Sequence, residues 1–234
     1  MTKKEWFKRG FHDGIPIGLG YFAVSFTFGM VAVEGGLSLF TAVMISLTNL
    51  TSAGQFAGLG IILGGGSYLE MALTQFVINL RYALMSLAMS QKFEKNMPFF
   101  HRFIIAYDMT DEIFGICSTH EERISPYYNY GALCVAAPGW VLGTFFGALL
   151  GGILPDMLMS ALGVAIYGMF LAIIIPPAKA NKPVMAVVVA SMLLGALFRF
   201  APVLNKIGSG FVIIIIALTV SVIAAIVKPI EENA

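Results

Sequence analysis

Runs of about twenty apolar residues recur along almost the whole chain, and nothing in the sequence constrains the fold more. At about 1.5 Å per residue, each run makes a helix able to cross the ~30 Å hydrocarbon layer of a bilayer. Such stretches lie at 14–33, 37–65, 67–90, 129–153, 156–176, 183–200 and 208–227, and a shorter one at 103–118 carries three acids. Only 12% of the 234 residues are charged and mean hydropathy is +0.86, against about a quarter charged in soluble domains. The chain therefore reads as an all-α integral membrane protein of about six to seven transmembrane helices, forming a single transmembrane domain over 1–234. Within it, 1–13 reads as a cytoplasmic N-terminus, 14–90 as a region of broken helices, 91–128 as a polar linker with an acidic helix, and 129–228 as the C-terminal helices. The bilayer is the chain's first partner. A net charge of +1 with no long run of like charges gives no footprint for nucleic acid.

Lys and Arg favour cytoplasmic loops, and here they discriminate between topologies. With the N-terminus inside and every stretch except 103–118 crossing once, the cations divide 6 inside against 7 outside. If 37–65 enters and leaves on one face, the division becomes 11 against 2; if every stretch crosses, it is 8 against 5. The rule prefers a re-entrant second segment and leaves the all-crossing arrangement as its competitor.

The stretch SLTNLTSAGQFAGLG, 46–60, places Ser46, Thr48, Asn49, Thr51, Ser52 and Gln55 inside that second segment. A helix break within a membrane exposes backbone groups that lipid cannot satisfy, so it must be buried in protein or line a cavity. Thr51 and Ser52 are good N-caps and Gly54 permits close approach. The expected break is near 49–54, with a half-helix starting at about Ala53 whose free N–H groups and dipole favour an anion. The competing structure is a continuous helix in which these groups bond its neighbours. Pro16, flanked by glycines in GIPIG, is expected to break or kink the first helix as well.

Further along, Gln75, Asn79 and Tyr82 share one helical face. Arg81 lies off that face, at a depth where an arginine costs roughly 3 kcal/mol and needs a partner or a wet cavity. Asp108, Asp111 and Glu112, spaced i, i+3, i+4, would share a face of the acidic helix. They would serve as counter-ions for Arg81, as a receptor for a substrate ammonium, or as a proton-coupling site. Gly139, Gly143, Gly147 and Gly151 make three successive GxxxG units, a surface for close helix packing. Cys117 and Cys134 read as buried small residues, with no metal or disulfide pattern. No Walker A, HExxH or GxSxG sequence is present, which argues against an enzyme and against a bound cofactor or metal.

In order along the chain, GIPIGLGYFAVSFTFG (14–29), SAGQFAGLG (52–60), INLRYALM (78–85) and TDEIFGI (110–116) resemble the AzlC-type branched-chain amino acid permeases. The resemblance covers most of the chain and is strongest over 14–116. It implies a secondary exporter of valine, leucine, isoleucine or their analogues in a bacterial inner membrane, with a small AzlD-type membrane subunit as partner. Carried onto this sequence, it points to Ser52, Ala53, Gly54 and Gln55 and to Asn79, Leu80, Arg81 and Tyr82. Tyr82 stands where the family often has His. The site expected from residues and resemblance together comprises Tyr21, Asn49, Ser52, Gly54, Gln55, Asn79, Arg81 and Tyr82 for substrate, with Asp108, Asp111 and Glu112 for coupling or ion pairing. Tyr21, Phe22 and Phe56 would provide apolar walls. An exporter or channel for another small organic solute, and a non-transporting scaffold subunit, are the alternative functions.

Overall fold

The structure, a computed structural model, describes residues 1–94, 97–120, 122–151, 153, 157, 171, 174–175 and 178–227. Among them the chain is almost wholly helical: α1 Lys3–Glu34, α2 Leu39–Thr48, α3 Ser52–Leu63, α4 Tyr68–Lys92, α5 Phe99–Tyr107, α6 Asp111–Ser118, α7 Pro126–Leu150, α8 Lys182–Phe200 and α9 Ser209–Val227. Helices α1, α4, α7, α8 and α9 are long and apolar enough to cross a membrane. The expected span at 156–176 lies almost entirely outside the described residues. The chain folds into two compact units, Met1–Gln55 with Asn79–Gly163 and Phe56–Ile78 with Val164–Ala234.

The first unit is built on α1 and α7. Thr2 and Glu5 form a capping box at the start of α1, and Gly36, at φ +92°, turns the chain at its end. A Cβ on Gly10, Gly14 or Gly18 would come closer than 3.0 Å to Tyr128, Ala132 or Val135, and one on Gly139, Gly143 or Gly147 equally close to Gly18, Phe22 or Phe26. The two backbones thus touch along their whole length. Contacts advance in the same direction on both helices, so α1 and α7 run parallel. Contrary to expectation, α1 passes through Pro16 without interruption. Pro16 is on the exposed side, while Gly14 and Gly18 press against α7 on the other, so packing on either side of the proline holds the helix together. Cys117 is buried as expected, but Cys134 is exposed, because it lies on the side of α7 turned away from α1.

Residues 99–118 form two short helices, not the single acidic helix read from the sequence. The chain opens at Asp108–Thr110, where Thr110 caps α6 by accepting the Ile113 N–H. Both ends of this pair are held at the N-terminal turns of α7. His101 Nδ1 pairs with Tyr130 Oη, and the His120 ring meets Tyr128 at 4.7 Å and Trp6 at 5.7 Å, edge to face. Burial, and then Arg9, push the His120 imidazole below its usual range. The tip reaches Tyr21, whose ring sits against Trp140. Trp140 is ten residues beyond Tyr130, or about 15 Å along the helix, half the depth of a hydrocarbon core. The α5–α6 pair is therefore a re-entrant hairpin that makes no crossing.

The C-terminal end of α4 is fastened at the same place, through Lys92 Nζ to the His120 carbonyl and a backbone bridge between Phe93 and Ile124. Because α1 and α7 are parallel, the chain crosses an odd number of times between them. The arrangement with a re-entrant 37–65 meets that requirement with α4, long and apolar enough to span, as the one crossing. It is the arrangement that the cation rule prefers, and since α5–α6 makes no crossing the all-crossing competitor is removed.

In the second unit, Glu70 in the first turn of α4 is buried and accepts the Gly210 N–H of α9 at 2.9 Å. A Cβ on Gly208 would lie 2.5 Å from the same carboxylate, so glycine there admits the acid to the positive end of the helix. Gly65, at φ +65°, makes the turn between α3 and α4.

Two outcomes follow from these contacts. Gly147→Val, which drives a side chain into the Phe26 backbone, is expected to cost more than the ~1–3 kcal/mol of ordinary overpacking, read as loss of monodisperse protein and a lower Tm in detergent. Single cysteines at Phe99 and Thr119, in a cysteine-free background, are expected to label from the same side of sealed vesicles. Labelling from opposite sides would contradict the hairpin.

Candidate functional site

Two helix breaks meet the α1–α7 pair near its middle. The first lies between α2 and α3, where Asn49, Leu50 and Thr51 leave helical geometry. Its chemistry is local: Asn49 Oδ1 accepts from the Thr51 N–H at 3.3 Å and from Thr51 Oγ1 at 2.5 Å, an Asx turn that competes with the helix. The Thr51 carbonyl then starts α3 by accepting from the Gly54 and Gln55 N–H groups. The N–H groups of Ser52 and Ala53 have no backbone acceptor among the described residues, so the expected half-helix start is present within a residue. Tyr107 Oη donates to the Leu47 carbonyl at 2.6 Å, satisfying one of the acceptors left at the end of α2.

From this break a buried chain of hydrogen bonds crosses to α7. Gln55 Nε2 donates to Ser46 Oγ at 2.6 Å, Ser46 Oγ pairs with Thr144 Oγ1 at 2.6 Å, and Trp140 Nε1 donates to Gln55 Oε1 at 2.9 Å. Gln55, Ser46, Thr144 and Trp140 are all at most 1% exposed. The Trp140 ring meets Tyr21 edge to face at 5.3 Å. Tyr21 Oη in turn lies 2.6 Å from Thr110 Oγ1 and 2.7 Å from Glu112 Oε2, on the second break. Tyr21 and Trp140, from the two glycine-packed helices, thus connect the tips of the two interrupted segments.

Arg81 found the kind of partner its depth demands. Its guanidinium lies 2.8 Å from Asp111 Oδ2 and donates to Tyr82 Oη at 3.0 Å, with arginine and aspartate both partly exposed. The three acids, expected on one face, are separated in role by the opening of the helix at 108–110. Asp111 takes Arg81, Glu112 takes Tyr21, and Asp108 is fully buried with neither oxygen hydrogen-bonded among the described residues. All the expected site residues fall in the first unit. Phe56, expected as an apolar wall, falls in the second, whereas Phe22 packs on Phe26 and Phe146. The sequence reading missed Trp140 and Thr144; an indole N–H inside an apolar helix, which needs an acceptor when buried, was the available signal. No group of three or more possible metal ligands occurs among the described residues.

The sequence profile of the AzlC family, described as AzlC protein, matches residues 16–154, a span that holds every residue of this network. The chain belongs to the AzlC family. Its relatives include an uncharacterized membrane protein of Archaeoglobus fulgidus, 32% identical over 183 residues covering 76% of this chain and 79% of the relative. Inner membrane protein YgaZ of Escherichia coli is 26% identical over 198 residues, 82% of this chain and 80% of its own. No solved structure matches. The protein is thus a membrane protein of the AzlC family, and its broken helices with a buried polar centre are in keeping with a transporter.

In this AzlC-family chain, Trp140→Phe keeps the ring against Tyr21 but removes the donor to Gln55. Leaving a buried amide oxygen unsatisfied costs about 1–3 kcal/mol, so a reduced Tm in detergent is expected, with Gln55→Leu in the same background recovering part of it.

Proposed function

We propose that this chain is a secondary exporter of branched-chain amino acids, working with a small AzlD-type membrane subunit in a bacterial inner membrane. The observation that carries the reading is the pair of helix breaks joined through Tyr21 and Trp140. Discontinuous helices meeting near the midplane, with free amides on one side and acids on the other, are the usual construction of a secondary transporter's site. The N-terminus is cytoplasmic in this reading, since that orientation places 11 of the cations inside.

The substrate carboxylate docks at the start of α3, on the Ser52 and Ala53 amides, with Gly54 leaving room and Asn49 beside them. Gln55, occupied by Ser46 and Trp140, holds that helix start in place. Asn79, Arg81 and Tyr82 form the α4 side, with Arg81 set by Asp111, and Tyr21 faces the aliphatic side chain. Apolar walls discriminate one methylene by only about 1–3 kcal/mol, so valine, leucine and isoleucine are carried with modest preference.

The test is efflux of preloaded labelled valine from cells expressing the chain, with and without an AzlD-type partner. At matched membrane abundance, Gln55→Ala and Arg81→Ala are each expected to lower efflux about tenfold or more, the equivalent of roughly 1.4 kcal/mol. Valine efflux unchanged by the chain itself, with the partner present, would reject the assignment; loss of assembly in place of flux would mark a scaffold.

A further inference from the structure

We propose that Asp108 is a proton-binding site: its carboxyl holds one proton in this conformation and releases it when the α5–α6 tip opens, coupling proton entry to solute exit. The inference deepens the transport reading and rests on it.

Asp108 sits in the break between the two hairpin helices, at 0% exposure, with both oxygens free of hydrogen bonds among the described residues. An isolated carboxylate cannot stay ionised in such a place, because losing its hydration costs far more than taking up a proton. Among the described residues no Lys, Arg or His forms an ion pair or hydrogen bond with it. From α1 comes Tyr21, from α5 Tyr107, and from α6 Glu112 and Cys117; each is neutral or acidic. Arg81 of α4 is engaged by Asp111 at 2.8 Å, and Arg102 of α5 lines the groove beside Ala106 and Met109 without pairing with Asp108. From α7, Tyr128 is bonded to Asp13 at 2.9 Å, and Asn129 is fully buried with its amide nitrogen and oxygen unpartnered among the described residues.

Two further features let a proton come and go. The tip is held by side chains, Thr110 and Glu112 on Tyr21, not by a continuous helix, so it can leave α1 without unwinding either arm. A groove of about 360 Å³, lined by Ser86, Ser90, Arg102, Ala106 and Met109 among others, also reaches the break beside Asp108. When the tip swings, the carboxylic acid becomes carboxylate plus one proton, which passes to water on the cytoplasmic side. Such exchange, proton in against solute out, is how an inward proton gradient would drive the solute outward.

The first measurement needs no substrate. Infrared spectra of the purified chain at about pH 7, with and without isotope-labelled aspartate, are expected to show a carbonyl stretch of a protonated carboxyl that shifts with the label. Asp108→Asn should abolish that band and Asp111→Asn leave it. A spectrum without the band, or a band that survives Asp108→Asn, overturns the proton site.

The second measurement is valine flux in proteoliposomes with the AzlD-type partner, with and without an imposed pH gradient. The wild-type ratio of the two fluxes is expected to exceed one and to fall to about one in Asp108→Asn, with Asp108→Glu restoring it. Valine flux that ignores the gradient in wild type, or a gradient response retained by Asp108→Asn, refutes the coupling while leaving the exporter standing. A confirmed band with no valine flux under any condition refutes the exporter reading and the coupling built on it.

Discussion

Backbone contact between α1 and α7 is the constraint on which the first unit depends. Dispersion at contact distance is the main attraction available between apolar helices in lipid, and glycine is the residue that lets two backbones reach it. The glycine faces at 10, 14 and 18 and at 139, 143 and 147 mesh in parallel. That geometry leaves no slack for the helices to rotate or slide, so the pair is a fixed frame. It also governs chain direction, because a parallel pair obliges everything between its members to return the chain to its starting side.

On that frame the expensive elements are the breaks. Each interrupts a helix where water is scarce, and each is compensated locally: Asn49 by an Asx turn, the end of α2 by Tyr107, the start of α6 by Thr110. What remains polar is gathered at Tyr21 and Trp140. One comes from each member of the fixed frame, and each has an apolar body and a polar end. The α5–α6 hairpin is held to the frame chiefly by side chains, so frame and hairpin are fastened by different chemistry.

Much of this was legible in the sequence. Six polar side chains crowded into 46–55 marked the first break to within a residue, because Asn, Thr and Ser offer the backbone an alternative to the helix wherever they cluster. The depth of Arg81 required an acid, and the acidic stretch supplied Asp111. The second break was hidden because Asp108, Asp111 and Glu112 obey helical spacing even though the chain opens between them. Pro16 misled in the opposite sense: a proline marks a helix break only when packing does not hold both sides, and sequence periodicity does not show that α7 does so. Trp140 was overlooked among glycines whose packing role was plain, since a donor's acceptor nearly ninety residues away leaves no local trace.

The carboxylate of Glu70 has a bearing on how the protein is made. Its partner, the Gly210 amide, is synthesised 140 residues later. During insertion α4 therefore carries an uncapped acid in its first turn until the last described helix arrives. Docking of α9 removes that cost in one step, and Gly208 and Gly210 are the small residues that let it seat. Completion of the second unit is thereby an electrostatic latch, and a chain truncated before Gly208 would retain an acid with nothing to close upon.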